Sequence, residues 1–135
     1  MLTDRELVDL AFDMLERAYA PYSNFPVGAA IACEDGTVFT GCNVENAAFG
    51  STICAERTAL VKAVSEGHRD DLERIAIAGR GQDYCWPCGA CRQMLSEFNP
   101  ELIILAARGD GQFVSYPLHQ LFPHGFGPGA LAQER

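Results

Sequence analysis

The hydrophobic and polar positions of this chain follow a helical period at its beginning. Thr3 and Glu6 have the spacing of a capping box. Apolar residues then recur at helical spacing, at Leu7, Leu10, Ala11, Met14, Leu15 and Ala18. The pattern predicts a first helix from about Asp4 to Tyr19, which Pro21 would stop because the residue before a proline avoids helical backbone.

Beyond this helix, short apolar runs of β type alternate with two more helical segments. The predicted strands are Val27 to Cys33, Thr37 to Cys42, Ile75 to Gly79, Leu102 to Ala107 and Gln112 to Tyr116. The predicted helices are Cys54 to Ser65, ended by Gly67, and Cys88 to about Phe98, opened by Pro87. The first two strands are joined around Glu34-Asp35-Gly36, which predicts a hairpin turn.

The predicted order of elements is therefore α-β-β-α-β-α-β-β with a short tail. Helices that alternate with buried strands after a hairpin favour a mixed sheet with helices on both faces. We predict an α/β fold, a three-layer α/β/α sandwich with a mixed sheet of about five strands. No repeat, low-complexity tract or linker divides the chain, so we expect residues 1–135 to form a single domain.

Composition and charge narrow the class of protein. Hydrophobic residues make up 48% of the chain and charged residues 21%, which is typical of a globular fold and argues against disorder. The net charge of −8 disfavours a nucleic-acid partner, because such proteins carry basic patches. No apolar run is long enough to span a bilayer, and the N-terminal residues lack the basic start and apolar stretch of an exported protein. We therefore expect a cytoplasmic protein.

Cysteines carry the candidate chemistry, in the segments Cys54-Ala55-Glu56 and Pro87-Cys88-Gly89-Ala90-Cys91. Two of the thiols are three residues apart at the start of one predicted helix, and the third starts another helix. Helix N-termini favour thiolate over thiol. Three thiolates around Zn²⁺ leave a fourth tetrahedral position open, which is typical of a catalytic site. Glu56 would lie beside that position, and water bound there would supply hydroxide near neutral pH.

Cys85 leaves other interpretations of the cysteines open. Its spacing to Cys88 is repeated from Cys88 to Cys91, as in an iron–sulfur run, but that pattern needs a further cysteine at Leu95. A closed structural zinc site that also used Cys85 would leave Glu56 without a role. A thioredoxin-like dithiol would leave Glu56 beside a cysteine by accident.

The remaining cysteines and the histidines are predicted to have no chemical role. Cys33 and Cys42 fall on strands, and we expect them to be small buried hydrophobic residues. His68, His119 and His124 lie in polar or turn contexts, so we expect none of them to be a metal ligand.

The two cysteine segments resemble the signature of the zinc nucleobase deaminases. The resemblance extends to the small homotetrameric cytidine deaminases in the segments Tyr19-Ala20-Pro21-Tyr22-Ser23-Asn24-Phe25, Val27-Gly28-Ala29-Ala30, Gly41-Cys42-Asn43-Val44-Glu45-Asn46-Ala47, Cys54-Ala55-Glu56-Arg57-Thr58-Ala59 and Cys88-Gly89-Ala90-Cys91-Arg92-Gln93. With a looser match in the tail, it covers nearly the whole chain.

This resemblance implies roles for individual residues. One Zn²⁺ per chain would be held by Cys54, Cys88 and Cys91. Glu56 would be the catalytic residue that shuttles protons. The substrate would be contacted by Phe25, Asn43, Glu45, the backbone around Ala55, and Phe126. Donors to the sulfurs, Arg57 and Gln93, would withdraw some of their charge.

The resemblance also implies an activity and an assembly. The reaction would be hydrolytic deamination of cytidine and deoxycytidine to uridine and deoxyuridine plus ammonia, in pyrimidine salvage, with zinc-activated water as the nucleophile. Glu45 would accept a hydrogen bond from a sugar hydroxyl and repel a sugar phosphate, which favours a free nucleoside over a nucleotide. The implied homotetramer would share its active sites, with Phe126 of one chain over the nucleoside in another and Tyr22 near a subunit contact.

The chain departs from the resemblance in two places. Tyr84-Cys85-Trp86 stands where small residues are usual, so we expect the loop beside the metal to pack differently. The tail from Leu121 to Pro128 matches only loosely. Two other functions stay open: deamination of an aminoacyl-nucleoside antibiotic, which the segment Asn43-Val44-Glu45-Asn46 disfavours, and a zinc-stapled binding module without activity.

Overall fold

The computed structural model describes residues 2–133, and its strands form one mixed sheet. The strands are β1 (Val27–Cys33), β2 (Val38–Cys42), β3 (Leu72–Gly79), β4 (Ile103–Ala107) and β5 (Phe113–Pro117). Their order across the sheet is β2-β1-β3-β4-β5. All neighbouring pairs are antiparallel except β3 and β4, which run parallel. The predicted mixed sheet of five strands is confirmed.

Five α-helices accompany the sheet in the described part of the chain. They are α1 (Asp4–Asp13), α2 (Ala55–Ser65), α3 (Gly89–Phe98), α4 (Leu118–Leu121) and α5 (Pro128–Gln133). The last two lie in the segment for which the sequence pattern predicts only a tail. Among the described residues, no helix has the length and apolar character needed to cross a membrane.

The side chains of β1 divide the core into two layers, because successive side chains of a strand point to opposite faces of the sheet. Ala29 and Ile31 pack in a cluster with residues of α2 and α3. Ala30 and Ala32 pack in a second cluster with α1. Helices therefore cover both faces, as the predicted three-layer α/β/α sandwich requires.

The first helix begins as predicted and ends sooner. The backbone N–H of Glu6 donates to the Thr3 hydroxyl, and the N–H of Thr3 donates to the Glu6 carboxylate, which completes the capping box. The α-helix stops at Asp13, six residues before the predicted end at Tyr19, and Met14–Arg17 continue as a 3-10 turn. Tightening of this kind is common at helix C-termini.

Helix α2 approaches β2 closely at Gly41. A Cβ on this residue would lie 2.5 Å from the carbonyl oxygen of Ala55 and 2.5 Å from the backbone nitrogen of Ala59. Only glycine leaves room for this contact. The contact fixes the first turn of α2 against the sheet and thereby positions Cys54 just before it.

Parallel pairing of β3 and β4 brings two helix N-termini together. Each of these strands is preceded by a helix, α2 before β3 and α3 before β4. Because the strands run in the same direction, both helices begin at the same edge of the sheet. Residues at the two helix starts therefore become neighbours although they are more than thirty positions apart in sequence.

Candidate metal centre and active site

Three cysteine side chains meet where α2 and α3 begin. Cys54 is the N-cap of α2, Cys88 is the N-cap of α3, and Cys91 lies in the first turn of α3. The Sγ atom of Cys88 lies 3.4 Å from that of Cys91 and 4.0 Å from that of Cys54. Neither N-cap side chain accepts a hydrogen bond from its helix, so both sulfurs are available to a common ligand.

The spacing of these sulfurs fits a tetrahedral zinc ion. Zn–S bonds of about 2.3 Å in a tetrahedron place the sulfurs about 3.8 Å apart, close to the two separations above. All three cysteines are free. Among the described residues, no fourth histidine, cysteine or acid completes the group, so three protein ligands would leave one position for water or substrate.

Hydrogen bonds around the sulfurs favour thiolate at Cys54. The Cys91 thiol and then Arg57 lower the pKa of Cys54 to about 5. The same hydrogen bond, together with burial, raises the pKa of Cys91. The Nη2 atom of Arg57 lies 3.6 Å from Sγ of Cys54 and donates to the carbonyl oxygen of Thr52 at 3.1 Å. Arg57 therefore has the contact that the sequence prediction requires of a donor to a sulfur.

Glu56 is a buried carboxyl beside these sulfurs. It occupies the second position of α2, and 5% of its surface is exposed. Burial raises its pKa to about 7, and the charge of Cys54 adds to the effect. A carboxyl in such a place can both hold and release a proton near neutral pH.

Cys85 stands apart from the three-sulfur group. Its backbone N–H donates to the carbonyl of Ala107 at 2.9 Å, and its sulfur is not a member of the group that could share one metal ion. Burial, followed by the charge of Glu56, raises the pKa of Cys85 to about 12. This arrangement favours a three-cysteine site over the closed four-cysteine and iron–sulfur alternatives.

A cavity of about 330 Å³ opens in front of Glu56, and its lining has two parts. The metal wall consists of Cys54, Ala55, Glu56 and Cys88 at the helix starts, with Cys91 behind them. The loop wall consists of Phe25, Asn43 and Glu45, from the segments just before β1 and just after β2. The other lining residues are Ser23, Val27, Thr52, Cys85 and Trp86.

Asn43 ties the two segments of the loop wall together. It is 8% exposed. Its Oδ1 accepts from the backbone N–H of Val27 at 2.9 Å, and its Nδ2 donates to the carbonyl of Phe25 at 3.0 Å. One lone pair of Oδ1 and one hydrogen of Nδ2 remain for a further partner. Asn43 thus braces the wall and keeps capacity for a ligand.

The Glu45 carboxylate organises the turn at its side of the cavity. One oxygen accepts from the N–H groups of Tyr22 at 2.9 Å and Ser23 at 3.0 Å, and the other accepts from the Ser23 hydroxyl. These hydrogen bonds, with those from Ser23 the strongest, lower the pKa of Glu45. The carboxylate therefore remains ionised and presents negative charge to the cavity.

The Phe25 ring rests on two glycines at the cavity wall. A Cβ on Gly79 would lie 3.0 Å from Cζ of Phe25, and one on Gly81 would lie 3.3 Å from its Cε1 atom. The ring is 42% exposed, so it retains a free apolar surface. Asn24, at φ 56°, turns the backbone immediately before it.

Two predicted site residues do not reach this cavity within their own chain. The side-chain amide of Gln93 donates to the backbone carbonyl of Phe126 at 2.8 Å, and no hydrogen bond from it to a sulfur is found among the described residues, so its role as a sulfur donor stays a prediction. Phe126 is 54% exposed and lines a different cavity, of about 640 Å³, formed by α3, α4 and the tail.

Sequence reasoning missed Ser23, Thr52 and Trp86 as cavity residues. Ser23 falls within the turn that precedes Phe25, and Thr52 lies two residues before Cys54, but neither position has a spacing typical of a ligand. Trp86, next to Cys85, packs on Tyr116 of β5 with ring centroids 5.8 Å apart. It is the bulky departure in the loop beside the proposed metal site, and the difference in packing from related proteins stays a prediction.

Comparisons with known proteins give a consistent result. The model of the cytidine and deoxycytidylate deaminase zinc-binding region matches residues 1–107, which include the entire metal wall. A cytidine deaminase from Sporosarcina psychrophila is 45% identical over 112 residues, or 82% of each chain. One from Halalkalibacterium halodurans is 43% identical over 91% of this chain and 94% of its own. The crystal structure of cytidine deaminase from Burkholderia pseudomallei matches with a TM-score of 0.89 at 44% identity, and the match covers 92% of this chain and 99% of that one.

Proposed function

Because this chain belongs to the family with the cytidine and deoxycytidylate deaminase zinc-binding region, we propose that it is a zinc-dependent cytidine deaminase. It hydrolyses cytidine and deoxycytidine to uridine and deoxyuridine and releases ammonia. The observation that carries the proposal is the buried Glu56 carboxyl, which shares one cavity with Cys54 and Cys88. A purely structural zinc site has no use for a buried acid at that place.

Cys54, Cys88 and Cys91 are the ligands of one zinc ion per chain in this proposal. When bound, zinc would make a water molecule in the cavity acidic enough to react near neutral pH. The Arg57 guanidinium, near Sγ of Cys54, offsets part of the negative charge that three thiolates bring. Oriented donors of this kind adjust the electron density of a metal site without touching the substrate.

Glu56 moves the protons of the reaction. It takes a proton from the attacking water and delivers it to ring N3, while the water oxygen bonds to C4 of the pyrimidine. It then takes the hydroxyl proton of the adduct and passes it to the exocyclic amino group. The C4–N bond breaks, ammonia leaves, and the oxygen stays on C4 as the carbonyl of uridine. The buried position of Glu56 excludes bulk water from these proton transfers.

The loop wall and the backbone at the start of the metal wall hold the nucleoside. Phe25 offers an apolar face, the backbone around Ala55 reads the pyrimidine edge, and the remaining hydrogen-bonding capacity of Asn43 meets the ribose. Glu45 accepts from a sugar hydroxyl and repels a phosphate, because its carboxylate stays ionised. The substrate is therefore a free nucleoside, and the net charge of −8 also disfavours nucleic acid.

The proposed assembly is a homotetramer with shared active sites. Phe126 is an exposed aromatic that does not line the cavity of its own chain, which leaves it available to a neighbouring subunit. Gln93 supports this use, because it holds the backbone at Phe126. Tyr22, 49% exposed, lies near a subunit contact in the same proposal.

We assign the enzyme to the cytoplasm and to pyrimidine salvage as part of this proposal. All six cysteines are free thiols, which suits a reducing compartment. Hydrolytic deamination of the free nucleoside is a reaction of pyrimidine salvage.

An ultraviolet assay coupled to ammonia detection tests the function. Purified protein with its zinc content measured is given cytidine, deoxycytidine, cytidine monophosphate or a cytosine-containing single-stranded oligonucleotide. We expect turnover of the two nucleosides and none of the phosphorylated substrates. Zinc without ammonia release from either nucleoside would indicate the structural module instead. Efficient deamination of the oligonucleotide at physiological salt would contradict the role given to Glu45.

A further inference from the structure

Four side chains of mixed chemistry converge at the end of α2 opposite the metal wall. Cys33 ends β1, Asp35 lies in the β1–β2 turn, and His68 and Asp71 lie between α2 and β3. One ligand atom of each, a thiol sulfur, an imidazole nitrogen and two carboxylate oxygens, lies within 4.8 Å of all the others. We name this group the turn cluster. Eleven helical residues at about 1.5 Å each separate it from the metal wall by roughly 16 Å.

Backbone hydrogen bonds hold the turn cluster in place. The N–H of His68 donates to the carbonyl of Ala63 at 2.9 Å, and that of Gly67, at φ 95°, donates to the carbonyl of Val64 at 3.0 Å. This pair of bonds is the Schellman motif, which fixes the residue after the glycine. The N–H of Glu34 donates to the carbonyl of Asp71 at 2.8 Å and thereby joins the hairpin turn to the segment before β3.

Two carboxylates place negative charge beside a buried thiol in the turn cluster. Cys33 is 2% exposed and takes part in none of the side-chain hydrogen bonds found among the described residues. Burial, and then the charges of Asp71 and Asp35, raise the pKa of Cys33 to about 11. Nδ1 of His68 lies 2.9 Å from a carboxylate oxygen of Asp71, and this hydrogen bond, with the charge of Asp71, raises the pKa of His68. A metal cation bound among these side chains would offset the negative charge of the same two carboxylates.

We propose that the turn cluster binds a second transition-metal ion through Cys33, His68, Asp35 and Asp71. Thiolate and imidazole ligands select Zn²⁺ and related ions over Mg²⁺ or Ca²⁺, which prefer oxygen alone. The ion replaces the thiol proton of Cys33 and any proton on the ligating nitrogen of His68, and these protons are released to solvent. Four protein ligands close the coordination sphere, so this site is structural and ties the β1–β2 turn to the end of α2.

The charge and the access route of the site are consistent with this assignment. One thiolate and two carboxylates around a divalent ion leave a net charge of −1, the same as three thiolates around zinc in the metal wall. The side chains of His68 and Asp71 are 21% and 30% exposed, so an ion can enter from solvent past them and reach Cys33 beneath. This site is independent of the proposed deaminase function, since none of its residues lines the catalytic cavity.

Cobalt titration of the zinc-loaded protein tests the proposal. Co²⁺ bound by a thiolate gives a sulfur-to-metal absorption band in the near ultraviolet. We expect this band to appear as one further metal equivalent binds, with the original zinc retained by mass spectrometry. The band should be lost in Cys33→Ala and retained in Cys42→Ala, which removes a thiol from the neighbouring strand of the same hairpin.

Carboxylate variants keep the test decisive if Cys33→Ala fails to fold. Mutation of groups that only orient metal ligands costs about 10–100-fold in affinity, so loss of a ligand in Asp35→Asn or Asp71→Asn should weaken Co²⁺ binding by at least tenfold. Asp70→Asn is the matched control, because Asp70 is exposed and pairs with Arg69. Added Zn²⁺ should raise the melting temperature of the Asp70→Asn protein and not that of Asp35→Asn.

Deaminase activity separates this site from the catalytic one. Asp35→Asn should deaminate cytidine at the wild-type rate while it loses the second metal equivalent. The proposal is overturned if no second equivalent binds, if the cobalt band survives in Cys33→Ala, or if the band arises only as zinc leaves the three-cysteine site.

Discussion

The two walls of the catalytic cavity are built in different ways. The metal wall stands on the N-termini of α2 and α3, and its carboxyl, Glu56, is buried. The loop wall comes from segments outside the strands, and Phe25 is 42% exposed. The polar groups of the loop wall already serve as braces, because Asn43 holds the backbone of Phe25 and Val27 while Glu45 holds the turn at Ser23.

This difference separates chemistry from recognition. Groups on the metal wall stand on helical backbone and, in the proposed function, face the atoms that react, so we expect a change there to act on kcat. In the proposed function, groups on the loop wall contact the unreactive part of the nucleoside, so we expect a change there to act mainly on KM. Variants on the two walls can therefore confirm or reject the comparison directly.

Replacement of a metal-wall cysteine should have the largest effect. Cys88→Ser should lose both zinc and detectable activity, because a neutral hydroxyl is a poor zinc ligand and two thiolates remain. Cys85→Ser should keep about one Zn²⁺ per chain and near-normal activity, since Cys85 is outside the three-sulfur group. Metal analysis and the ultraviolet assay measure both properties. Loss of zinc from Cys85→Ser would mean that the ligand assignment is wrong.

Glu56→Gln should separate metal binding from turnover. The amide matches the carboxylate in shape but cannot carry the protons, so kcat should fall by at least about 10²–10⁴-fold. Zinc content and melting temperature should stay close to those of the wild type, because Glu56 is not a ligand. Glu97→Gln, on the exposed side of α3, is the control for a change of charge. Near-normal turnover of Glu56→Gln would reject the proposed mechanism.

The fold followed from the sequence wherever the pattern was local. The apolar run of β1 gave the observed bounds, Val27–Cys33, and the capping box gave the start of α1. The start of β3 at Leu72 was missed by three residues, because it depends on pairing with Cys33 across an irregular register. The tail helices α4 and α5 were also missed, since a four-residue and a six-residue helix show too little periodicity.

The metal wall could be predicted because part of it follows a local sequence pattern, whereas the turn cluster could not. Cys88 and Cys91 share a helical turn, so their spacing alone indicated a common ligand. The turn cluster brings together Cys33 and His68, which are far apart in sequence and were each assigned no role. Cys33 is indeed buried, whereas Cys42 is only partly buried, with Sγ 3.4 Å from the carbonyl of Arg17. Tertiary pairing of β1 with β3 creates the cluster, and no local pattern reports it.

Glu45→Gln probes the loop wall and should have a smaller effect. Hydrogen bonds to charged groups contribute about 1.5–3 kcal/mol, so KM for cytidine should rise by about 10- to 150-fold, with a smaller change in kcat. Ser23→Ala is the control, because it removes the hydroxyl that braces Glu45 and leaves the carboxylate in place. If Ser23→Ala raises KM as much as Glu45→Gln, then Glu45 acts only as a brace of its own turn.

Phe126→Ala should have the smallest effect, and it tests whether a residue of another chain completes the loop wall. The proposed homotetramer should be visible by light scattering. An aromatic contact is worth about 0.5–1.5 kcal/mol, so Phe126→Ala should lower kcat/KM several-fold. If Phe126 serves its own chain, for example by packing its own tail, no other subunit can restore that loss.

Mixed tetramers distinguish the two cases. Phe126→Ala chains are denatured and refolded together with an excess of inactive Glu56→Gln chains, which supply an intact Phe126. If the aromatic acts across subunits, activity per Phe126→Ala chain should rise toward the wild-type value, because an intact Phe126 now faces an intact Glu56. The control partner carries both substitutions and should give no rise. Two outcomes would contradict the shared site: a monomer in solution, or tetramers proved to be mixed that show no rise in activity. In either case Phe126 would act only in the packing of its own tail.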